Sequence, residues 1–146
     1  MRAVLIVNPT ATTTTPAGRD LLANALKSRL QLTVEHTGHR GHGAELAEKA
    51  VADGVDLVVV HGGDGTVSGV VNGLLGRPGA ASGPTGPVPA VAVVPGGSAN
   101  VLARSLGISR DPVAATNQLI QFLDDYRHHH TWRRIGLIDC GERWAV

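Results

Sequence analysis

The chain has 146 residues, of which 42% are hydrophobic and 3% are aromatic, and its formal net charge is +1. This length suits one domain with a core of its own. Because aromatic residues are scarce, that core has to be built from Val, Leu, Ile and Ala, as in α/β proteins with parallel sheets. A net charge near zero produces no long-range field of the kind that marks a dedicated nucleic-acid-binding protein, so we expect no nucleic acid among the partners.

The cysteine count and the apolar runs predict the cellular compartment. Cys140 is the only cysteine, so no disulfide can form within the chain, which is typical of a reducing compartment. The strand-like sequence around Cys140 predicts that this residue is buried. No apolar run approaches the ~20 residues that span a bilayer. The first residues resemble a strand, and no cleavage site follows them. We therefore interpret the chain as cytoplasmic.

Strands and helices are predicted to alternate along the chain. Apolar or β-rich runs predict strands at 3–7, 32–37, 57–60 and 90–94, with strand-like sequence again from 131. Helical spacing of apolar residues, capping residues and stop signals predict helices at 18–30, 42–54, 66–75 and from 112 to about 125. Residues 76–89 are rich in Gly, Pro and Ser and are predicted to form a loop.

This alternation predicts an α/β fold of three layers, in which a mostly parallel sheet carries helices on both faces. Such sheets bind ligands at the carboxyl ends of their strands. Three predicted strands end in polar or glycine-rich sequence, at Asn8-Pro9, at residues 62–66 and at residues 95–100. Because these ends converge, the sequence predicts a site for a ligand that carries phosphate.

The stretch HGGDGTVSGVVNG, residues 61–73, supports this prediction most directly. Glycines at 62, 63 and 65 remove the Cβ atoms that would keep a ligand at a distance, and the free N–H groups of the following helix form an anion site. The carboxylate of Asp64 is compatible with a phosphate if Mg²⁺ lies between them. A purely structural turn, with Asp64 capping the following helix, explains the same spacing and stays open here.

Two common phosphate-binding motifs are excluded. A Walker A loop needs a lysine after its glycines, but the chain's two lysines, Lys27 and Lys49, lie elsewhere. A dinucleotide-binding fingerprint would follow the first strand, where Asn8-Pro9 stands instead.

Three segments together resemble the diacylglycerol kinase catalytic domain family, which includes bacterial lipid kinases, sphingosine kinases and ceramide kinases. They are VNP after the first strand, GGDGTVSGVVNGL after the third and VPGGSANVLARSLG after the fourth, in the order and spacing of that family. GGDGT alone also occurs in NAD kinases and is less specific. The resemblance extends from residue 3 to about residue 142. It implies a fold like the N-terminal domain of NAD kinases and diacylglycerol kinases.

The resemblance also implies individual roles. Asp64 is implied as the catalytic residue, and Asp64 and Asp139 as the residues that serve a metal site. The implied nucleotide-binding residues are Asn8, Thr37, Gly62, Gly63, Asp64, Gly65, Thr66, Ser98 and Asn100. Many diacylglycerol kinases carry an aspartate at the position of Val101, so the resemblance leaves the lipid open between a diacylglycerol-like and a sphingosine-like molecule.

The implied function is that of an ATP- and Mg²⁺-dependent lipid kinase that transfers the γ-phosphate to a lipid hydroxyl. Residues 1–130 would form its nucleotide-binding α/β domain, and residues 131–146 the first strands of a β-sandwich lipid-binding domain. Because the acceptor's general base is expected beyond Val146, we expect this fragment alone to be inactive. The implied partners are ATP, a lipid alcohol and a membrane surface in peripheral contact, and a homodimer stays open. An NAD-kinase-type enzyme and a non-catalytic nucleotide-binding module remain alternatives.

Overall fold

A parallel sheet of four strands forms the centre of the molecule. A computed structural model describes residues 1–81, 83–84, 86–129 and 132–146. The neighbouring strands of the sheet all run parallel, in the order β2-β1-β3-β4. They are β1 (Arg2–Val7), β2 (Gln31–His36), β3 (Leu57–Gly62) and β4 (Ala90–Pro95). The predicted strand-like sequence from residue 131 begins outside the described residues.

Helices cover both faces of this sheet. They are α1 (Pro16–Lys27), α2 (His42–Ala52), α3 (Asp64–Leu75), α4 (Val101–Ser105) and α5 (Pro112–His129). One apolar core lies between the sheet and α2 and α3, and the other lies between the sheet and α1 and α5. The predicted three-layer α/β fold is therefore confirmed. No helix in the described part of the chain combines the length and the apolar character that a membrane span requires.

The central strands are apolar throughout because both of their faces are covered. In β3 all six residues are buried, and in β1 only Arg2 is exposed. Side chains alternate between the two cores, so that Leu5 packs on the side of α1 and Ile6 on the side of α2. Each fully buried Val or Leu contributes about 1.5–3 kcal/mol. The aliphatic composition is therefore what holds the sheet to its helices.

Two helices begin earlier than the sequence predicts. Helix α1 starts at Pro16 rather than Gly18, because the Thr15 hydroxyl accepts a hydrogen bond of 3.1 Å from the Gly18 N–H and proline suits the first helical position. It also ends at Lys27, before the predicted residue 30. Helix α3 starts at Asp64 rather than Thr66, so that the glycine-rich turn is the first turn of the helix.

The last residues form a short antiparallel pair, β5 (Ile138–Asp139) and β6 (Trp144–Ala145). The indole Nε1 of Trp144 donates a hydrogen bond of 3.0 Å to the Gly76 carbonyl at the end of α3. The prediction that Cys140 is buried is wrong, because the cysteine lies in the exposed turn of this hairpin. A domain boundary near residue 130 stays a prediction.

Helices α2 and α3 cross closely at a glycine. A Cβ atom on Gly73 would overlap the Ala44 carbonyl oxygen and lie 2.7 Å from the Ala44 Cα. Both obstacles belong to the backbone of α2, so the clash cannot be relieved by a side-chain rotation. The position therefore accepts only glycine unless the two helices separate.

We predict that Gly73→Ala lowers the free energy of unfolding by about 3 kcal/mol, at the upper end of the usual cost of overpacking a core. Gly69→Ala is the matched control, because a Cβ at that position of the same helix meets open space. It should be neutral or stabilising by up to about 1 kcal/mol, since alanine forms helices better than glycine. Denaturant unfolding of both variants measures the difference, and equal stabilities would contradict the packing described.

A histidine lies buried at the end of β3. His61 is 2% exposed, and its Nδ1 donates a hydrogen bond of 3.1 Å to the Val94 carbonyl. Burial lowers the pKa of His61 below its ordinary value of 6.5; the hydrogen bond to Val94 opposes this shift, and the positive charge of Arg19 adds to it. The folded state therefore favours the neutral imidazole.

This pKa shift predicts a loss of stability in weak acid. The unfolded chain takes up a proton near pH 6.5 that the folded chain still excludes, so the free energy of unfolding falls as the pH drops from 6.5 toward the folded-state pKa. His61→Asn should flatten this slope in denaturant unfolding measured across that range. The control, His36→Asn, removes an exposed histidine from the end of β2. An unchanged slope in His61→Asn would rule out His61 as the source.

Candidate functional site

A cavity of about 950 Å³ opens at the carboxyl ends of the parallel strands. The loops after all four strands reach it, and so do one side of α3, part of α2 and the turn of the terminal hairpin. Of the residues that the sequence singled out, those that line it are Asn8, Thr37, Gly63, Asp64, Gly65, Thr66 and Ser98. The predicted convergence of strand ends therefore corresponds to a real concave site.

The turn after β3 presents backbone N–H groups to this cavity. Gly63 is the N-cap of α3 and has no side chain to bond the helix N-terminus. Among the described residues, the N–H groups of Asp64 and Gly65 have no hydrogen-bond partner, whereas the next two bond to the Gly63 carbonyl. A Cβ at Gly65 would meet open space. The helix thus begins with two free donors at an unobstructed surface, which is the local structure that binds anions.

The loops after β3 and β4 touch through their glycines. A Cβ on Gly97 would lie 2.6 Å from the Gly63 Cα, and a Cβ on Gly96 would lie 3.0 Å from the Gly62 Cα. The Gly96 N–H donates a 2.9 Å hydrogen bond to the Gly62 carbonyl. These glycines therefore allow two neighbouring strand exits to stay in backbone contact, so the PGGSAN segment is built into the site.

Asp64 joins the same two loops through its side chain. Its Oδ1 accepts a hydrogen bond of 2.6 Å from the Val101 N–H, at the start of α4. The carboxylate therefore caps α4 and not its own helix, which corrects the structural alternative drawn from the sequence. Its Oδ2 makes no hydrogen bond with any described residue, and the side chain is half-buried on the cavity wall.

Asn8 and Thr66 connect the ends of β1 and β3. The Asn8 amide donates a hydrogen bond of 3.0 Å to the Thr66 hydroxyl oxygen and accepts from the N–H and hydroxyl of Thr10. Because the Thr66 oxygen accepts this bond, its own hydrogen stays available to donate into the cavity. Asn8 thus orients the hydroxyl that lies next to the free N–H groups of α3.

Three residues of the predicted site do not line the cavity. Gly62 is buried at the end of β3, where a Cβ would lie 2.8 Å from the Thr66 side chain. Asn100 adopts the left-handed conformation, with φ 50°, and its amide exchanges two hydrogen bonds with the Gly97 backbone. Asp139 accepts from the Gly141 N–H within its own turn. Gly62 and Asn100 shape the loops, and Asp139 shapes the hairpin.

The sequence did not single out several residues that line the cavity. Helix α3 contributes its whole length, and the groove continues beside α2 to the hairpin. The additional residues include Arg40, Glu48, Gly69, Asn72, Arg77, Glu142 and Arg143. The only signal for this part was the pair of glycines at 69 and 73, four residues apart and so on one face of the predicted helix.

Two histidines and a glutamate cluster at the rim. His39 and His42 stack with ring centroids 4.6 Å apart and planes 5° apart, and His39 Nε2 lies 3.8 Å from Glu45. Parallel rings cannot both direct a lone pair at one ion, and Nδ1 of His42 already accepts from the Gly38 N–H at 2.9 Å. The cluster, whose ligand atoms lie within 4.8 Å of one another, is therefore not arranged to hold a metal.

The chain is similar to known proteins in both its sequence and its fold. A diacylglycerol kinase of Bacillus subtilis is 34% identical over 120 residues, which cover 77% of this chain and 35% of that protein. A diacylglycerol kinase of Staphylococcus aureus is 30% identical over 129 residues, covering 82% of this chain and 36% of that protein. A crystal structure of a diacylglycerol kinase from Bacillus anthracis matches with a TM-score of 0.71 and 28% identity, over 83% of this chain and 42% of that one.

This chain thus spans about a third of the length of the curated relatives that it matches. The model of the family described as "Diacylglycerol kinase catalytic domain" matches residues 2–125, which is well over half of the chain. That stretch contains all four strands of the sheet and both glycine-rich loops of the cavity. The chain belongs to the diacylglycerol kinase catalytic domain family.

Proposed function

We propose that the cavity binds ATP together with Mg²⁺ and is the nucleotide-binding part of a lipid kinase. The observation that carries this proposal is the start of α3, where free N–H groups and the Asp64 carboxylate face the same open surface. A helix N-terminus with free donors favours phosphate, whereas a carboxylate alone would repel it. The combination is explained by a cation shared between Asp64 and the phosphates.

The residues present fit such a complex. The N–H groups of Asp64 and Gly65 would donate to phosphate oxygens, and the Thr66 hydroxyl would add a third donor beside them. Ser98 is exposed on the cavity wall, in the loop after β4, and provides a further hydroxyl. Because the Gly65 position is open, the phosphates can approach the backbone closely. Thr37, which follows β2, also lines the cavity and would contact the nucleotide there.

Asp64 would hold the metal through Oδ2, because Oδ1 is engaged by the Val101 N–H. Mg²⁺ prefers one or two carboxylates together with phosphate oxygens, and when bound it would neutralise charge that develops on the transferred group. The chain's own contribution to phosphoryl transfer is then to position the phosphates and to hold the cation beside them. Asp139 lies outside the cavity wall, so its assignment to the metal would require a water-mediated contact.

The acceptor is proposed to be the hydroxyl of a diacylglycerol-like or sphingosine-like lipid. Two curated relatives of this chain are named diacylglycerol kinases, and they are about three times as long as the matched segment. We assign the acceptor site and its general base to the part of the protein that corresponds to their unmatched residues. This chain alone is then expected to bind nucleotide without phosphorylating lipid, and the complete enzyme to meet its substrate in peripheral contact with a membrane.

Two substitutions of Asp64 separate its structural role from its role in metal binding. Asp64→Asn keeps an oxygen that can accept from the Val101 N–H but removes the charge, whereas Asp64→Ala removes both. We predict that Mg²⁺ strengthens ATP binding about tenfold or more in the wild type, in line with close charge pairs, and that neither variant keeps this gain. Only Asp64→Ala should also lose stability, by about 1–3 kcal/mol for an unpaired N–H and a lost cap. Calorimetric titration with ATP, with and without Mg²⁺, and thermal unfolding measure the two effects.

NAD is the comparison ligand in the same titration. Tighter binding of NAD than of ATP would favour an NAD-kinase-type enzyme over the lipid kinase. A Mg²⁺ gain that survives in Asp64→Asn would show that the carboxylate is not a metal ligand.

Gly65→Ala tests whether the turn is kept open for a ligand. Because a Cβ there meets open space, the fold should tolerate it, with a melting temperature equal to or slightly above that of the wild type. The same methyl group would stand where a phosphate approaches the backbone, so we predict that ATP affinity falls at least about tenfold. Gly136→Ala is the control, because a Cβ there is equally unhindered and lies outside the cavity. Unchanged ATP binding in Gly65→Ala would show that the glycine serves no ligand.

A further inference from the structure

An apolar groove lies beside β4, which is an edge strand of the sheet. Among the described residues, β4 pairs with β3 alone, so its other edge carries no strand. The groove has a volume of about 720 Å³ and is walled by β4, α4, α5 and the segment 132–137. It shares no lining residue with the cavity at the strand ends. It is therefore a second concave site, of a size that accepts a small molecule or a lipid chain.

The groove concentrates apolar side chains that are ordinarily covered. Three of the chain's four Phe, Trp and Tyr residues cluster beside it, with the ring of Trp132 at 5.4 Å from that of Phe122 and 4.6 Å from that of Tyr126. An apolar patch of this kind on a protein surface marks an interaction site. Of the eleven large apolar side chains that the described residues expose, six line the groove: Val88, Val91, Phe122, Trp132, Ile135 and Val146.

Two arginines give the groove its charge. Arg133 and Arg134 both line it and both are exposed, and neither side chain has a hydrogen-bond or ion-pair partner among the described residues. No acidic side chain of the described residues lines the groove. The site thus combines an apolar wall with two uncompensated positive charges, which suits an anionic molecule that has a hydrocarbon part.

This charge selects among the occupants that an apolar groove can take. A second copy of the chain, bound through the same face, would bring the arginines of both copies together, because a two-fold interface uses the same surface on each side. A neutral apolar segment would gain nothing from the two guanidinium groups. An anionic lipid uses both features, since its chain removes apolar surface from water and its phosphate accepts hydrogen bonds from arginine.

We propose that this groove binds an anionic lipid of a membrane surface, with a hydrocarbon chain against Trp132 and Ile135 and the phosphate on the two arginines. Tryptophan is enriched at the membrane–water interface, and basic side chains are attracted to anionic lipids. The inference goes beyond the proposed nucleotide-binding function and gives the proposed membrane contact a surface. Because the groove and the nucleotide cavity share no residue, vesicle binding and ATP binding can fail independently.

The first test is co-sedimentation with vesicles, made either of phosphatidylcholine alone or of phosphatidylcholine and phosphatidylglycerol in equal parts. The wild type should prefer the anionic vesicles, and Arg133→Ala/Arg134→Ala should bind them about 30-fold more weakly, at about fivefold for each basic residue near the surface. Arg104→Ala/Arg110→Ala is the matched control, because it removes the same charge from exposed residues that do not line the groove. An equal loss in both double variants would overturn the proposal, since general attraction between charges would then explain the binding.

The second test addresses the apolar wall. Val88→Gln/Ile135→Gln changes two exposed lining residues outside helices and strands, so the fold should tolerate it, and binding to the anionic vesicles should fall at least about tenfold. Leu21→Gln/Val113→Gln is the control, because it makes the same kind of change at exposed apolar residues away from the groove. Wild-type binding in Val88→Gln/Ile135→Gln would overturn the proposal.

The fluorescence of Trp132 reports where the lipid chain lies. Phosphatidylglycerol that is brominated in its chains quenches a tryptophan with which those chains are in contact. We expect vesicles of this lipid to quench the wild type and to leave Trp132→Phe unquenched, because Trp144 does not line the groove. Vesicle binding without quenching of Trp132 would place the lipid elsewhere and overturn the proposal.

Two further outcomes would identify a different occupant. A wild-type dimer that ignores the vesicles, and that Val88→Gln/Ile135→Gln dissociates in analytical ultracentrifugation, would assign the groove to a second copy of the chain. Quenching of Trp132 in this chain but not in the complete enzyme would show that the groove is covered by the part that corresponds to the unmatched residues of the relatives. Either result would overturn the proposal.

Discussion

The close approach of the turns after β3 and β4 is the constraint on which the site depends. Neighbouring strands in a sheet lie about 4.8 Å apart, and here the exits of two strands remain in contact beyond the sheet, with Gly97 against Gly63. Side chains at these positions would force the loops apart. The start of α3 would then lose the wall formed by residues 97–99, and the cavity would no longer bring donors from two loops together.

The same contact allows one carboxylate to serve the fold and the proposed metal site together. Asp64 reaches the start of α4 only because the two loops touch, and its hydrogen bond to the Val101 N–H then fixes the direction of the side chain. One oxygen is held by the fold and the other is left on the cavity wall. If the proposed Mg²⁺ binds there, a carboxylate that is already oriented in this way loses little conformational freedom. Asn8 does the same for the hydroxyl of Thr66.

The sheet and the glycine-rich turn could be predicted from the sequence because their signals are local. Buried parallel strands read as continuous apolar runs, such as residues 57–60, and the glycines at 62, 63 and 65 follow directly. The sequence placed the start of α3 at Thr66, two residues after its actual start at Asp64, because residues 64 and 65 were assigned to a loop. An aspartate is nevertheless favourable in the first turn of a helix. The positions of Asp64 and Thr66 on the cavity wall follow from the same local pattern.

The rest could not be predicted because it depends on contacts between distant segments. Nothing around Asn72 indicates that its amide bonds to Trp144, and nothing around Asn100 indicates that its side chain bonds to the Gly97 backbone. Residues 131–146 were assigned to another domain on the family resemblance, and that assignment stays a prediction, whereas the hydrogen bonds of the hairpin to α3 come from the structure. The position of the hairpin against α3 depends on hydrogen bonds between residues far apart in the chain, for which the sequence carries no local signal.

The central claim is that the first turn of α3 binds phosphate, and amide NMR of ¹⁵N-labelled protein tests it most directly. When ATP and Mg²⁺ are added, the account predicts that the largest shift changes occur at the N–H groups of Asp64 and Gly65, which have no partner among the described residues. Shift changes confined to other parts of the surface would contradict it. So would the absence of any shift change at ATP and Mg²⁺ concentrations that saturate a full-length diacylglycerol kinase.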